Sequence, residues 1–348
     1  MDISLIDKNM ANNTTIEKDG FVFYNVDDAP MRLYGVMREG DVYTRVPAAV
    51  SERVSVNVAS LSYNTAGGRV RFVTDSPRIA VIAHRNPIGF SDHMPYTLKA
   101  GLDLYADDDY QGTFRPGVDF SATCFESVVG LLSDRRDHTI TINMPLYGGL
   151  RSLYVGIEKG ATLSAAPDYR FEPPVVFYGS SITQGGCASR PGTSYEAVLS
   201  RALDMSYINL GFSGNAKGED AIAEYIANLS MSAFVYDYDH NAPNVAHLAA
   251  THERMYKIIR EKNPDLPIIM VSRPQNVARR DREERFEVIR QTYENAKARG
   301  ERVWLVHGGH FFDGYGNDAT VDGCHPTDLG FRLMANGILP TLREALLG

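Results

Sequence analysis

The chain is poor in cysteine and tryptophan, and it has neither long apolar runs nor a block of basic residues. Three cysteines, Cys124, Cys187 and Cys324, stand among 348 residues. The count is odd and the spacing fits no metal pattern, which argues for reduced thiols in a cytoplasm, with Cys187 and Cys324 as small, half-buried fillers. No apolar stretch approaches the roughly 20 residues of a membrane span. Met1–Gly20 is polar and lacks the apolar core of a secretory leader, so a cytoplasmic location is expected. The net charge is −8 and the basic residues are dispersed, which speaks against nucleic acid or an anionic membrane as partner.

Hydrophobic residues make up 44% and charged residues 22%, enough to build a full core. At roughly 150 residues per domain, the length suggests two. The first half reads as β. Phe21-Val22-Phe23-Tyr24, Val54-Ser55-Val56-Asn57-Val58, Val70-Arg71-Phe72-Val73, Ile79-Ala80-Val81-Ile82, Thr139-Ile140-Thr141-Ile142 and Ser152 to Ile157 alternate or are rich in β-branched and aromatic residues. No long amphipathic helix is evident among them. Many short strands at close spacing imply a sandwich or jelly roll. The boundaries expected are an extension over 1–20, a β-sandwich domain over 21–168 and a second domain over 169–348, with a linker near Ala165–Pro174.

After that linker, short apolar strands alternate with helices. The strands are Val175–Tyr178, Tyr207–Leu210, Ala233–Tyr236, Pro267–Val271 and Val303–Val306. Thr193 with Glu196 reads as a capping box for the first helix, whose apolar face is Tyr195, Val198, Leu199 and Ala202. Pro326 fits the first turn of the last helix. The pattern predicts a doubly wound parallel sheet, whose ligands bind beyond the carboxyl ends of the strands.

Five clusters stand out: Gly179-Ser180-Ser181, Asn209 to Asn215, Asp239-His240-Asn241, Arg273-Pro274 and Asp322-Gly323-Cys324-His325. Four of them follow strand-like runs, so the topology gathers them at one end of the sheet. In this order they supply a hydroxyl nucleophile, two oxyanion donors, and a histidine base with an orienting carboxylate. Arg273 reads more readily as a surface or salt-bridge arginine than as a substrate contact. His252 falls on an apolar helix face and reads as a core residue. His307 and His310 lack an obvious third metal ligand. The Gly179 segment is not a phosphate-binding loop, because Gln184 occupies the second glycine position.

The clusters resemble the blocks of SGNH (GDSL) hydrolases. Position by position, Ser181 matches the nucleophile, Gly214 the second-block glycine, Asn241 the third-block asparagine, and Asp322 with His325 the last block. The resemblance implies a flavodoxin-like three-layer α/β/α hydrolase domain, a Ser181–His325–Asp322 triad, and an oxyanion hole of the Ser181 and Gly214 N–H groups and the Asn241 amide. Ser180 stands where that family usually has Asp, and Asp239 where it usually has Gly. Gly101-Leu102-Asp103-Leu104-Tyr105 resembles the signature of the GxDLY domain, a β domain preceding some of these hydrolases. Met144-Pro145-Leu146-Tyr147 fits the same pattern. The implied activity is ester hydrolysis with no metal and no cofactor. The substrate expected is a small-molecule or oligosaccharide ester, by preference an acetylated carbohydrate. A lysophospholipid or thioester substrate is the enzymatic alternative. An inactive carbohydrate-binding protein is the non-enzymatic one, supported by Asp239 alone.

Overall fold

The computed structural model describes residues 16–130, 136–274 and 281–348. Residues 1–15 of the expected N-terminal extension therefore lie outside the described residues. In the C-terminal half, β1 (Phe171–Gly179), β2 (Met205–Gly211), β3 (Ala233–Asp237), β4 (Ile268–Val271) and β5 (Val303–Val306) form a parallel sheet in the order β2-β1-β3-β4-β5. The winding reverses at β1, which opens a crevice at the carboxyl ends of β2, β1 and β3. Helices α1 (Tyr195–Leu203), α2 (Asp220–Ala227), α3 (Val245–Lys262), α4 (Arg282–Ala298) and α5 (Asp328–Leu347) cover both faces. Alternation along β1 separates two cores. Val175 and Phe177 join Leu199, Phe331 and Met334 on one face, and Val176 and Tyr178 join Ile222, Leu248 and Ile289 on the other.

Local details depart from the sequence reading. Strand β1 already begins at Phe171, within the expected linker. The cap of α1 is Ser194, whose hydroxyl accepts from the Ala197 N–H, while Thr193 lies in a preceding 3₁₀ turn. Leu203, not the exposed Ala202, completes the buried face of α1. Pro326 bridges back to Thr320 before α5 starts, and Thr327 is the cap there.

The N-terminal half holds two five-stranded antiparallel sheets. One runs Ile16–Lys18, Phe21–Asn25, Leu150–Glu158, Arg78–Arg85, Cys124–Gly130, and the other Arg32–Tyr34, Arg69–Thr74, His138–Asn143, Leu102–Ala106, Asp109–Phe114. Val81, Leu153 and Val155 from the first share one core with Phe72, Leu104 and Ile140 from the second. The segment Val54–Val58 is not a strand. It joins two seven-residue helices, Ala48–Val54 and Val56–Ser62, with Ser55 accepting from the Val58 N–H as the cap of the second. Val46 and Val58 are buried in the core that contains Ile222 and Leu210, so this hairpin packs against the parallel sheet's own layer. That burial overrides the strand preference of the valines.

The signature strand Leu102–Ala106 binds the two halves together. The buried Asp103 carboxylate accepts from the Gly192 N–H at 2.7 Å, from Arg190 Nη1 at 3.0 Å and from Asn143 Nδ2 at 2.8 Å. Tyr105 donates to the Gly192 carbonyl at 3.3 Å. The acid and the tyrosine of the signature are thus docking residues beneath α1.

Candidate active site

Strand β1 ends at Gly179, where a Cβ would lie 2.0 Å from both Asp237 Oδ1 and Thr183 Oγ1, so no side chain fits. Ser180 caps the following turn, its hydroxyl accepting from the Ile182 N–H at 3.2 Å. It fills the position of the expected Asp with a good N-cap residue. The turn Ser181–Gln184 stops at Gly185, whose φ of +101° favours glycine. Ser181 is buried, yet its Oγ lies 2.9 Å from His325 Nε2. His325 Nδ1 lies 2.7 Å from Asp322 Oδ2. The other Asp322 oxygen accepts from the N–H groups of His325, at 2.7 Å, and Cys324, at 3.0 Å. Burial alone would raise the Asp322 pKa, but these hydrogen bonds and the ring of His325 outweigh it and hold the carboxyl at about 2.

Beyond β2 the Phe212 N–H donates to the Gly179 carbonyl at 2.9 Å, and the Asn215 N–H closes a turn onto the Phe212 carbonyl at 2.8 Å. Gly214 sits in that turn with φ +70° and is solvent-exposed. The Ser213 N–H donates to Gln184 Oε1 at 3.0 Å, tying this loop to the serine turn. The Ala216 N–H donates to Asn241 Oδ1 at 3.2 Å, tying it to the loop after β3. The amide nitrogen of Asn241 then has no hydrogen-bond partner among the described residues. Three loops from three adjacent strands are thus linked and carry Ser181, Gly214 and Asn241, while Asp322 and His325 reach Ser181 from the segment between β5 and α5.

Asp239 has an ordinary backbone φ, so glycine's freedom is not required at this position. Its side chain is buried, and burial lifts the carboxyl to about 6 against the opposing charges of Arg273 and Arg285. The Arg285 guanidinium donates to the carbonyls of Asp239, at 2.6 Å, and Ala242, at 3.0 Å, which anchors the loop carrying Asn241. Arg273 is buried beside Asp239, with its N–H 3.4 Å from Asp239 Oδ2. Of the surface or salt-bridge role expected for it, the surface placement does not hold, and its charge acts on the Asp239 carboxylate. His252 is a core residue as read, held by Thr292 at 2.9 Å and pushed by burial down to about 3.

Sequence reasoning missed several neighbours. Asp237, at the end of β3, is a buried carboxyl bonded to the hydroxyls of Thr183 and Tyr195, and burial lifts it to about 8. A polar residue closing an apolar strand was its one signal. From the N-terminal half, Tyr147, in the Met144–Tyr147 stretch already singled out in the sequence, donates to the Ser181 carbonyl at 3.1 Å, and the Leu146 carbonyl accepts from Gln184 Nε2 at 3.1 Å. The His93 ring lies 5.6 Å from that of His325. Nothing in the pattern around His93 marks it. His93, Cys187 and His325 each place a ligand atom within 4.8 Å of the others, a set chemically able to hold a metal ion. His307 and His310, 5.0 Å apart, belong to no such group among the described residues. Cys187 is buried, and burial pushes its thiol up to about 12, which leaves it a poor nucleophile. Cys124 is exposed and Cys324 half-buried.

Among the described residues, no helix is long and apolar enough to cross a membrane. Residues 172–343 match the GDSL-like lipase/acylhydrolase family, and residues 21–163 match the GxDLY family, the N-terminus of SGNH-hydrolase-type esterases. The chain is similar to a putative GDSL-like lipase from Bacteroides ovatus, with 29% identity and a TM-score of 0.84 over 94% of this chain and 98% of that one. It is similar in fold to the salicylyl-acyltransferase SsfX3 from a tetracycline biosynthetic pathway, at 19% identity and a TM-score of 0.78, covering 95% and 99% of the two chains. It also shares a fold with an acetyl xylan esterase from the rumen bacterium Butyrivibrio proteoclasticus, at 13% identity and a TM-score of 0.61, covering 94% and 99%. Among curated proteins no match was found. The antiparallel domain carrying its signature, the parallel-sheet domain and both family matches agree: the chain belongs to the SGNH/GDSL-type esterases with a GxDLY N-terminal domain, and it is a carboxylic ester hydrolase.

Proposed function

We propose that this esterase removes short acyl groups, by preference acetyl groups from carbohydrates, through a Ser181–His325–Asp322 triad. The observation that carries the reading is the unbroken relay from Ser181 Oγ to His325 Nε2 at 2.9 Å and from His325 Nδ1 to Asp322 at 2.7 Å. Ser181 Oγ attacks the ester carbonyl carbon as His325 Nε2 takes its proton. Asp322, ionised at any working pH, fixes the ring tautomer and stabilises the imidazolium. The negative oxygen of the tetrahedral intermediate faces the N–H groups of Ser181 and Gly214 and the Asn241 amide. Collapse returns the proton from His325 to the leaving alkoxide. Water then repeats the sequence on the acyl-serine and releases the acid.

The N-terminal half supports a carbohydrate substrate in two ways. The chain segment bearing His93 also bears the exposed Phe90, edge-on to Phe120 at 5.9 Å, an aromatic face suited to a sugar ring. A cavity of about 550 Å³ is lined by Tyr63, Asn64, Asn86, Ile88 and Tyr147, and the hydroxyl of that Tyr147 bonds the Ser181 carbonyl. We also read this half as jelly-roll-like. Its support is the strand order: Phe21–Asn25, Leu150–Glu158, Arg78–Arg85, Cys124–Gly130 opposite Arg69–Thr74, His138–Asn143, Leu102–Ala106, Asp109–Phe114.

The test is a panel of p-nitrophenyl esters from acetate to palmitate beside acetylated oligosaccharides, run on the wild type and Ser181→Ala. Turnover should fall off with acyl length. Ser181→Ala should lose it by up to roughly a million-fold. More than about a tenth of the activity left in a folded Ser181→Ala would remove the serine mechanism.

A further inference from the structure

We propose that Arg45, from the N-terminal half, is a positioning residue for the loop that presents Gly214. The inference rests on reading Gly214 as an oxyanion donor. Strand β2 is an edge of the parallel sheet, so one row of its backbone groups has no strand to pair with. Three alternate carbonyls on that row, Tyr207, Asn209 and Gly211, accept instead from two buried arginines of the N-terminal half. Arg69 reaches Tyr207 O at 3.2 Å through Nη1. Arg45 Nη1 bridges Asn209 O at 3.1 Å and Gly211 O at 2.7 Å.

Arg45 is held from behind just as firmly. Its Nη2 donates to Leu61 O at 2.7 Å and its Nε to Asn64 O at 2.8 Å, at the end of the helix Val56–Ser62. Its guanidinium carbon lies 4.8 Å from the centre of the Phe212 ring. Among the described residues it has no carboxylate partner. Burial draws its pKa down to about 9, which still leaves it charged near neutrality. Burying a cation without an anion is costly, and a methionine of similar length would fill the same space. What the cation adds is direction. A planar fork fixes four carbonyls at once, two on each side of the contact.

The two carbonyls on the hydrolase side lie immediately before the turn Phe212–Asn215. After the turn, Asn57 Nδ2 holds Asn215 Oδ1 at 3.1 Å. The segment 45–64 therefore grips the loop at both ends, while the Phe212 N–H to Gly179 bond fixes its inner side. An oxyanion donor works only within a few tenths of an ångström of its optimum, and a misplacement of about 1 Å can cost roughly 100-fold.

The test compares Arg45→Met, Arg45→Lys and Arg69→Met in the full chain, with kcat and KM for p-nitrophenyl acetate taken well below each variant's melting temperature. Arg45→Met should lower kcat by about 10- to 100-fold and leave KM within about twofold, because the oxyanion forms only after binding. Arg45→Lys keeps the charge but not the fork and should fall in between; it also serves if the methionine variant does not fold. Arg69→Met loses the same kind of contact four residues upstream of Gly211, and it should keep kcat within about threefold whatever it loses in stability. A folded Arg45 variant with wild-type kcat, or an equal kcat loss in Arg69→Met, would reduce Arg45 to a packing residue. The oxyanion reading is checked separately by Asn241→Ala. If that variant is fully active, the site assignment fails, not the contact made by Arg45.

Discussion

Replacing Asp237 by Asn should make the protein less sensitive to rising pH. Asp237 ends β3 directly beneath the serine turn, where its carboxyl accepts from the Thr183 hydroxyl and, at 3.3 Å, from Tyr195. Burial lifts its pKa from 3.8 to about 8; the Thr183 hydrogen bond opposes this, and the nearby Asp239 adds to it. Between those two values the folded chain holds a proton that the unfolded chain has released. Stability from this group is therefore complete below 3.8 and declines as pH rises toward 8, at about 1.4 kcal/mol per unit. An asparagine stays neutral at every pH, keeps an acceptor for Thr183, and can donate to the Tyr195 oxygen. Moving from pH 5 to pH 7 should thus shift the stability difference by about 3 kcal/mol in favour of the variant. Urea unfolding at pH 5, 6 and 7 measures it, followed by the fluorescence of the sole tryptophan, Trp304 in β5. A stability difference that does not change between pH 5 and 7 would refute the argument, since Asp237 would then be ionised throughout. Turnover of the variant should stay near wild type, because the serine turn keeps its hydrogen bond.

The triad and the oxyanion loop make sharper kinetic predictions. Asp322→Asn should cost up to roughly 10⁴ in kcat, as in serine proteases whose orienting carboxylate is replaced. With the wild-type carboxyl held at about 2, its stabilising contribution is present above 3.8 and lost as pH falls through 2, so Asp322 should produce no activity step above about pH 4; a step that appears there and vanishes in Asp322→Asn would contradict this. Asn241→Ala should lower kcat by roughly 10² to 10³ with little change in KM. A change confined to KM would make Asn241 a contact to the bound substrate instead.

The catalytic half was legible because its physics is local. Each strand is a short apolar run, each helix has one buried stripe, and winding such units puts every strand end on one side. The same logic put Ser181, Gly214 and Asn241 beyond strand ends, and the structure has them on the loops after β1, β2 and β3. The failures lie where long-range packing decides. Val54–Val58 has the alternation of a strand, but Ser55 caps a helix there, and Val54 and Val58 pack toward α2 and β2 while Val56 is left exposed. Arg45, Arg69, Arg273 and Arg285 look like surface residues in any composition, and all four are buried. What holds Arg45, Arg69 and Arg285 is mostly backbone carbonyls of other segments, which leave no trace in a residue pattern. His93 shows the same limit, since a lone histidine in a turn gains meaning only when another part of the chain brings His325 to it.

The contacts between the halves bear on why an antiparallel β domain precedes this hydrolase sheet. A parallel sheet with β2 at its edge would present the carbonyls of Tyr207, Asn209 and Gly211 to water or to another chain. An added strand could pair with them, but it would continue past Gly211 and crowd the crevice beside Gly214, the proposed oxyanion donor. Two arginines satisfy the same carbonyls and stop short of the loop. Gly67 makes the approach possible: a Cβ there would lie 2.8 Å from Asn209 Cβ. The same half reaches the serine turn through Tyr147 and Leu146, and the His325 ring through His93. Separating residues 170–348 from the rest would therefore uncover a sheet edge, release the oxyanion loop, and remove one wall of the crevice together. On these contacts the segments around Arg45, His93 and Tyr147 stand against the loops at the ends of the parallel strands, and under the proposed mechanism substrate choice should depend on where they meet.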